Sequence, residues 1–179
     1  MDRTCPFFRL VDEIVGETTC DGKKKMYEIM AKDVPVHIME LPHMKRPVDV
    51  RHFAEEIALF AKNVEEVTGV ALTAENLAEG IKLINSRRRA LARVYETHKD
   101  PDTIPISGTD ALLMMQIAFF DDPQRCADMA NKLADELEQR LADDVSVFPA
   151  GTKRILVTGT PLAIPNWKLH HIKIGRAHV

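Results

Sequence analysis

The sequence predicts an α/β fold in which short parallel βαβ units are joined by a block of helices. Three observations predict it. Near the start, Asp12-Glu13-Ile14-Val15, which reads as a short strand, and the apolar run Val34-Pro-Val-His-Ile-Met-Glu-Leu41 bracket a helix-forming stretch from Lys23 to Met30. Strand, helix and strand in that length make a βαβ unit, whose crossover requires a parallel pair. The middle of the chain then changes to apolar residues spaced three and four apart, the helical period. Near the other end, Ile155-Leu-Val157 followed by Thr158-Gly-Thr-Pro161 repeats the pattern of strand and turn. The βαβ units are therefore partial and Rossmann-like.

The elements follow in order. In the first helix the apolar residues are Met26, Ile29 and Met30. Asp21 is placed to cap that helix, and Gly22 to let the backbone turn tightly or approach a ligand. A second helix carries the stripe Phe53, Ile57, Phe60, Val64 and Val67 and stops at Gly69. Thr73 is a good N-cap for a third, with the stripe Leu77, Ile81, Ile84, Leu91 and Val94. Arg87, Arg88 and Arg89 in this helix read as a solvated face, with an anionic substrate tail or partner as the sharper alternative. Ser107 with Asp110 starts a fourth helix, apolar nearly all round from Ala111 to Phe120 and so expected to be buried. Asp122-Pro123 opens a fifth with the stripe Cys126, Met129, Leu133, Leu137 and Leu141, which makes Cys126 a small core residue. Pro149-Ala-Gly151 is a linker into the last strand. The expected organisation is residues 1–47 as the end of one α/β domain, 48–148 as the helical block and 149–173 as the start of a second α/β domain. Both ends read as cut. Residues 174–179, Ile-Gly-Arg-Ala-His-Val, match a reading frame of a common sequencing adapter and are read as an assembly scar.

Composition excludes several functions. The chain has 179 residues, 45% of them hydrophobic, and a net charge of −3 from 24 basic and 27 acidic residues. That is a globular protein with a core and no basic excess for nucleic acid. No apolar stretch approaches a membrane span and no signal peptide is visible, so a cytoplasmic location is expected. Three cysteines at wide spacing argue against a disulfide framework and for reduced thiols or metal ligands. There is no Gly-x-Gly-x-x-Gly, no phosphate loop and no helical His-x-x-x-His pair.

Chemistry concentrates at Cys20. It sits in the turn between a strand end and a helix start, where open α/β sheets place their sites. The positive helix end and the three lysines Lys23 to Lys25 favour the thiolate, the form that attacks or binds metal. An ordinary free cysteine in a βα loop is the alternative. The loop Leu41-Pro42-His43-Met44 leaves the second strand at the same sheet edge, which makes His43 a neighbour with chemistry near neutral pH.

The run Gly16-Glu-Thr-Thr-Cys-Asp-Gly-Lys-Lys-Lys-Met-Tyr-Glu28 closely resembles a signature of the 2-hydroxyacyl-CoA dehydratase superfamily. That group comprises the 2-hydroxyglutaryl-CoA dehydratase D-component, benzoyl-CoA reductase subunits and double-cubane-cluster anaerobic reductases. Cys5-Pro-Phe-Phe8 resembles the segment before the signature in the double-cubane branch, and Arg154 to Pro161 resembles the start of the family's second α/β domain.

The resemblance implies an iron–sulfur cofactor, a 4Fe-4S or a double-cubane cluster, with Cys20 and Cys5 as thiolate ligands. Further ligands would lie outside this chain's sequence or in another subunit. Thr18, Thr19 and the Gly22 backbone would donate hydrogen bonds to sulfur, Lys23 would offset cluster charge, and His43 is a candidate at the substrate. The implied activity is low-potential single-electron chemistry on a small or acyl-CoA substrate, either 2-hydroxyacyl-CoA dehydration through a ketyl radical or reduction. An ATP-dependent activator protein would supply the electron, and a sister subunit or a second copy would be the partner. The alternative is a cluster-free α/β binding or assembly subunit.

Overall fold

The structure is a computed structural model and describes residues 10–157. Its order is β1 (Ile14–Glu17), α1 (Asp21–Met30), β2 (Val36–Met39), α2 (Pro47–Thr68), α3 (Ala74–Glu96), a 3-10 turn at Thr97–Lys99, α4 (Gly108–Ile117) and α5 (Pro123–Ala142). The chain divides into two compact units, with the division between Ala74 and Glu75. The fold is α/β with helices dominant, as a partial Rossmann-like unit and a helical block require.

In the first unit β1 and β2 pair in parallel, Ile14 opposite Val36 through Glu17 opposite Met39. Helix α1 crosses between them. Its seat on the sheet explains Gly16: a Cβ there would meet the Tyr27 ring at 2.6–2.9 Å. Glycine is needed because the ring of α1 lies directly on the strand backbone. β2 is shorter than the 34–41 run that announces it, and β1 lies two residues further along than Asp12–Val15, because only four residues of each find ladder partners.

Helix α2 begins at Pro47, where the missing N–H costs nothing. Ahead of it the Arg46 guanidinium donates twice to the Asp49 carboxylate, Nε to Oδ2 at 2.8 Å and Nη2 to Oδ1 at 2.9 Å. The helix ends at Gly69 with φ +69°, the left-handed C-cap that its glycine predicts. Its stripe is only partly covered: Phe60 packs against His37 of β2 with ring centroids 5.5 Å apart, while Ile57 and Val67 are exposed.

The second unit holds the larger core. Ala90, Leu91 and Val94 of α3 pack against α4 and α5. Here α5 departs from the expected stripe. Its buried residues are Cys126, Ala127, Ala130, Ala134 and Leu137, whereas Met129 is exposed. Alanines bring the α5 backbone close to α3, and the larger side chains flank that contact. Arg93 of α3 locks the pair by donating to Asn131, Asp135 and Glu138 of α5. Arg87 donates to the Ala118 carbonyl at 3.0 Å, closing the C-terminus of α4. Helix α4 is not buried all round: Ile117, Phe119 and Phe120 are exposed, since α3 and α5 cover only one of its sides. Ser107 caps α4, its Oγ accepting from Asp110 N, and at the start of α5 Asp122 Oδ1 accepts from Arg125 N.

Ile155-Leu-Val157 forms no strand, and Leu156 is 80% exposed, because no strand among the described residues lies beside it to complete a ladder. Arg154 instead ties this segment to the 98–103 turn, donating to the carbonyls of His98 and Thr103 at 3.0 and 3.1 Å. The Thr158 to Pro161 turn and Cys5 lie outside the described residues.

The Gly16 packing makes a direct prediction. Gly16→Ala should destabilise the protein by about 1–3 kcal/mol, the usual cost of overpacking, measured by denaturant unfolding. Gly16→Ala combined with Tyr27→Ala should lose less than the two single changes added together, because the clash disappears with the ring.

Candidate functional site

Cys20 lies three residues beyond the carboxyl end of β1 and immediately before α1. It is the helix N-cap, with extended backbone at φ −141° and ψ 127°, and its carbonyl accepts the first helical bond from Lys24 N at 3.0 Å. Asp21, expected to cap, instead stands in the first turn with its side chain in solvent. The Cys20 thiol makes no capping bond and is exposed. An N-cap is usually Ser, Thr, Asp or Asn because their oxygens accept from the first turn. A cysteine there forgoes that stabilisation and leaves its sulfur open to solvent.

The loop after β2 is beside this turn, as βαβ geometry requires. The Leu41 N–H donates to Thr18 Oγ1 at 3.0 Å, a direct link between the two loops at one sheet edge. The Glu40 N–H donates to Glu56 of α2 at 2.9 Å, so the second loop is held on both sides. His43 is exposed in that loop.

Glu17 is the residue that sequence reasoning missed. Its Oε2 accepts from the Thr19 N–H at 2.8 Å and from the Thr19 hydroxyl. Its Oε1 accepts from Lys23 Nζ at 2.5 Å. These bonds, the Lys23 ammonium foremost, hold the Glu17 carboxyl down to about 2 from its ordinary 4.5, and the same contact pushes Lys23 up. Spacing offered the signal, since Glu17 and Lys23 flank the turn six residues apart, but only the folded turn makes them neighbours.

That contact changes the roles of the surrounding donors. Lys23 is paired with Glu17, Lys24 with Asp21 at 3.3 Å and Lys25 with Glu28 at 2.7 Å. The three lysines are therefore compensated and do not stand as free positive charge beside the thiol. Thr19 spends its N–H and hydroxyl on Glu17, which takes it out of the donors expected to face sulfur. Thr18 accepts from Leu41 and keeps its own proton to donate. Helix geometry leaves the Gly22 N–H without an intrahelical acceptor. Gly22 has no positive φ and serves no tight turn; a Cβ there would meet the Cys20 sulfur at 3.8 Å, an ordinary van der Waals contact.

Cys126 differs in every respect. It is 5% exposed in the α3–α5 core, and burial pushes its thiol above the ordinary value. An iron–sulfur group, held through thiolates, fits Cys20 as one open ligand and does not fit Cys126. Among the described residues no three of His, Cys, Asp and Glu converge as a metal site. No helix among them is long and apolar enough to cross a membrane.

The family model for the 2-hydroxyglutaryl-CoA dehydratase D-component matches residues 1–174. A curated Escherichia coli (strain K12) protein, YjiM, named provisionally as a dehydratase subunit, is 37% identical over 161 residues. The match covers 88% of this chain and 41% of YjiM, so the chain spans about two fifths of the length of that relative.

Two outcomes follow from the geometry. Cys20→Ser should raise the stability of the iron-free protein by about 0.5–1 kcal/mol, because serine supplies the missing N-cap oxygen; denaturant melts of the two proteins measure it. Acid should act in the opposite sense. The folded Glu17 carboxyl sits near 2, below its ordinary 4.5, so its contribution is complete above about pH 4.5 and is lost as pH falls toward 2. Glu17→Gln should flatten that part of the stability–pH curve.

Proposed function

Because the chain belongs to the 2-hydroxyglutaryl-CoA dehydratase D-component family, we propose that it is part of the iron–sulfur subunit of a 2-hydroxyacyl-CoA dehydratase or a double-cubane anaerobic reductase. The observation that carries this reading is the exposed, uncapped Cys20 at the carboxyl end of β1, facing solvent at the edge where the two βα loops meet. In this reading Cys20 is a cluster ligand and Cys5 a second one. When bound, a 4Fe-4S or double-cubane cluster supplies low-potential electrons one at a time.

The chain's own residues supply ligation and surroundings. Cys20 presents a thiolate, Thr18 a hydroxyl proton, and Gly22 an amide proton. These donors tune sulfur as outer-shell hydrogen bonds do in other metal sites. In this reading His43, exposed on the neighbouring loop, is the candidate to meet the substrate. An ATP-dependent activator is the electron donor, an acyl-CoA or other small molecule the substrate, and a sister subunit or second copy the partner. The cytoplasm is the expected setting for such an oxygen-sensitive group.

Counting iron in the full-length protein purified without oxygen tests the assignment. Cys20→Ser should lose most of the iron and Cys5→Ser some or all of it. Cys126→Ser should keep the iron and cost about 1–3 kcal/mol of stability, from a hydroxyl placed in an apolar core. Wild-type iron in Cys20→Ser overturns the site. An iron-free wild-type protein that still assembles with its partner favours the cluster-free binding or assembly subunit.

A further inference from the structure

We propose that Glu17 is a positioning residue that fastens the turn around Cys20, whose own side chain makes no capping bond, and so keeps the thiol free to bind. The inference rests on Cys20 being a ligand, the reading given above, and assigns a role to a residue outside it.

The N-cap side chain of α1 makes no bond to the helix, although its backbone has the extended conformation of an N-cap. The turn from β1 to α1 therefore needs another fastening. Glu17, the last residue of β1, provides one. Oε2 takes the Thr19 N–H and hydroxyl, which closes the turn just before Cys20. Oε1 takes the ammonium of Lys23, which stands in the first turn of α1 just after Cys20. One carboxylate thus spans the cysteine and holds both flanks. The thiol itself takes part in neither contact.

The arrangement also separates two charges. The Lys23 ammonium lies within electrostatic reach of Cys20, and left free it would pair with a thiolate there. Pairing Lys23 with Glu17 removes that competitor. Glutamate at position 17 is needed for both tasks, because the two oxygens serve different donors. Glutamine keeps one acceptor for Thr19 and loses the ion pair. Alanine loses both.

The test compares Glu17→Ala, Glu17→Gln, Cys20→Ser and the double variant Glu17→Ala with Cys20→Ser, in full-length protein prepared without oxygen. Two quantities are read: iron bound per chain after loading with ferrous iron and sulfide, and the unfolding midpoint of the iron-free protein. Glu17→Ala should bind at least threefold less iron, and its iron-free midpoint should fall. Glu17→Gln should recover part of both. The drop in midpoint caused by Glu17→Ala should be smaller in the Cys20→Ser background than in the wild-type one, because the introduced serine hydroxyl now caps α1, while iron stays lost. A merely structural Glu17 would give the same drop in both backgrounds, since independent effects add. Wild-type iron in Glu17→Ala, alongside lost iron in Cys20→Ser, overturns the Glu17 proposal and leaves the Cys20 assignment standing. Wild-type iron in Cys20→Ser overturns both. An equal drop in the two backgrounds overturns the link between Glu17 and the cap position.

Discussion

The contact between the Tyr27 ring and the backbone of Gly16 fixes the rest of the first unit. At 2.6–2.9 Å from where a Cβ would be, the ring allows no side chain on the strand beneath it. It sets the distance of α1 from β1, and that distance sets the length of the turn between them. Glu17, Thr18, Thr19 and Cys20 fill the turn, and each has a separate duty. Glu17 fastens, Thr18 joins the neighbouring loop, Thr19 is held, and Cys20 is left open. The two ends of the Gly16–Glu28 run thus belong together for a packing reason, while its middle belongs to the site.

Stability and availability oppose each other at Cys20. A better cap at that position would strengthen α1 and close the site. The structure resolves the conflict by moving the fastening onto a neighbouring carboxylate. The Cys20 turn is also tied to the rest of the first unit through Leu41, and the Leu41 loop through Glu56 to α2. These bonds run from the candidate ligand to a long helix without using the thiol. Asp49, held by Arg46 to about 2, secures the start of that same helix.

The second unit reaches order by a different route. Its core is rich in alanine, and small side chains let α3 and α5 approach closely enough for Arg93 to reach three acceptors across the interface. Exposed ion pairs of this kind contribute little individually, but a shared guanidinium is ordered once for several bonds. Arg87 and Arg93 belong to the same helix and illustrate two uses of one residue type. Arg87 completes the end of a neighbouring helix through a carbonyl, and Arg93 fixes the register of another.

Much of this was legible in the sequence because it depends on local rules. Gly69 ends α2, Ser107 and Asp122 begin α4 and α5, and two strand-like runs around a helix give a parallel pair. Those features need only a few neighbouring residues. The position of the Leu41 loop beside Cys20 was also legible, since βαβ topology dictates it. What was hidden depends on small residues and on partners brought together by folding. A stripe read from large side chains placed Met129 inward, whereas Ala127, Ala130 and Ala134 carry the contact. The lysines beside Cys20 read as free positive charge because composition counts charges without their partners. Glu17 went unnoticed for the same reason. A glutamate at a strand end is ordinary until the turn folds, and only then do its two oxygens meet Thr19 and Lys23 on either side of the cysteine. The site is therefore specified less by the residue types around Cys20 than by which of them are already engaged.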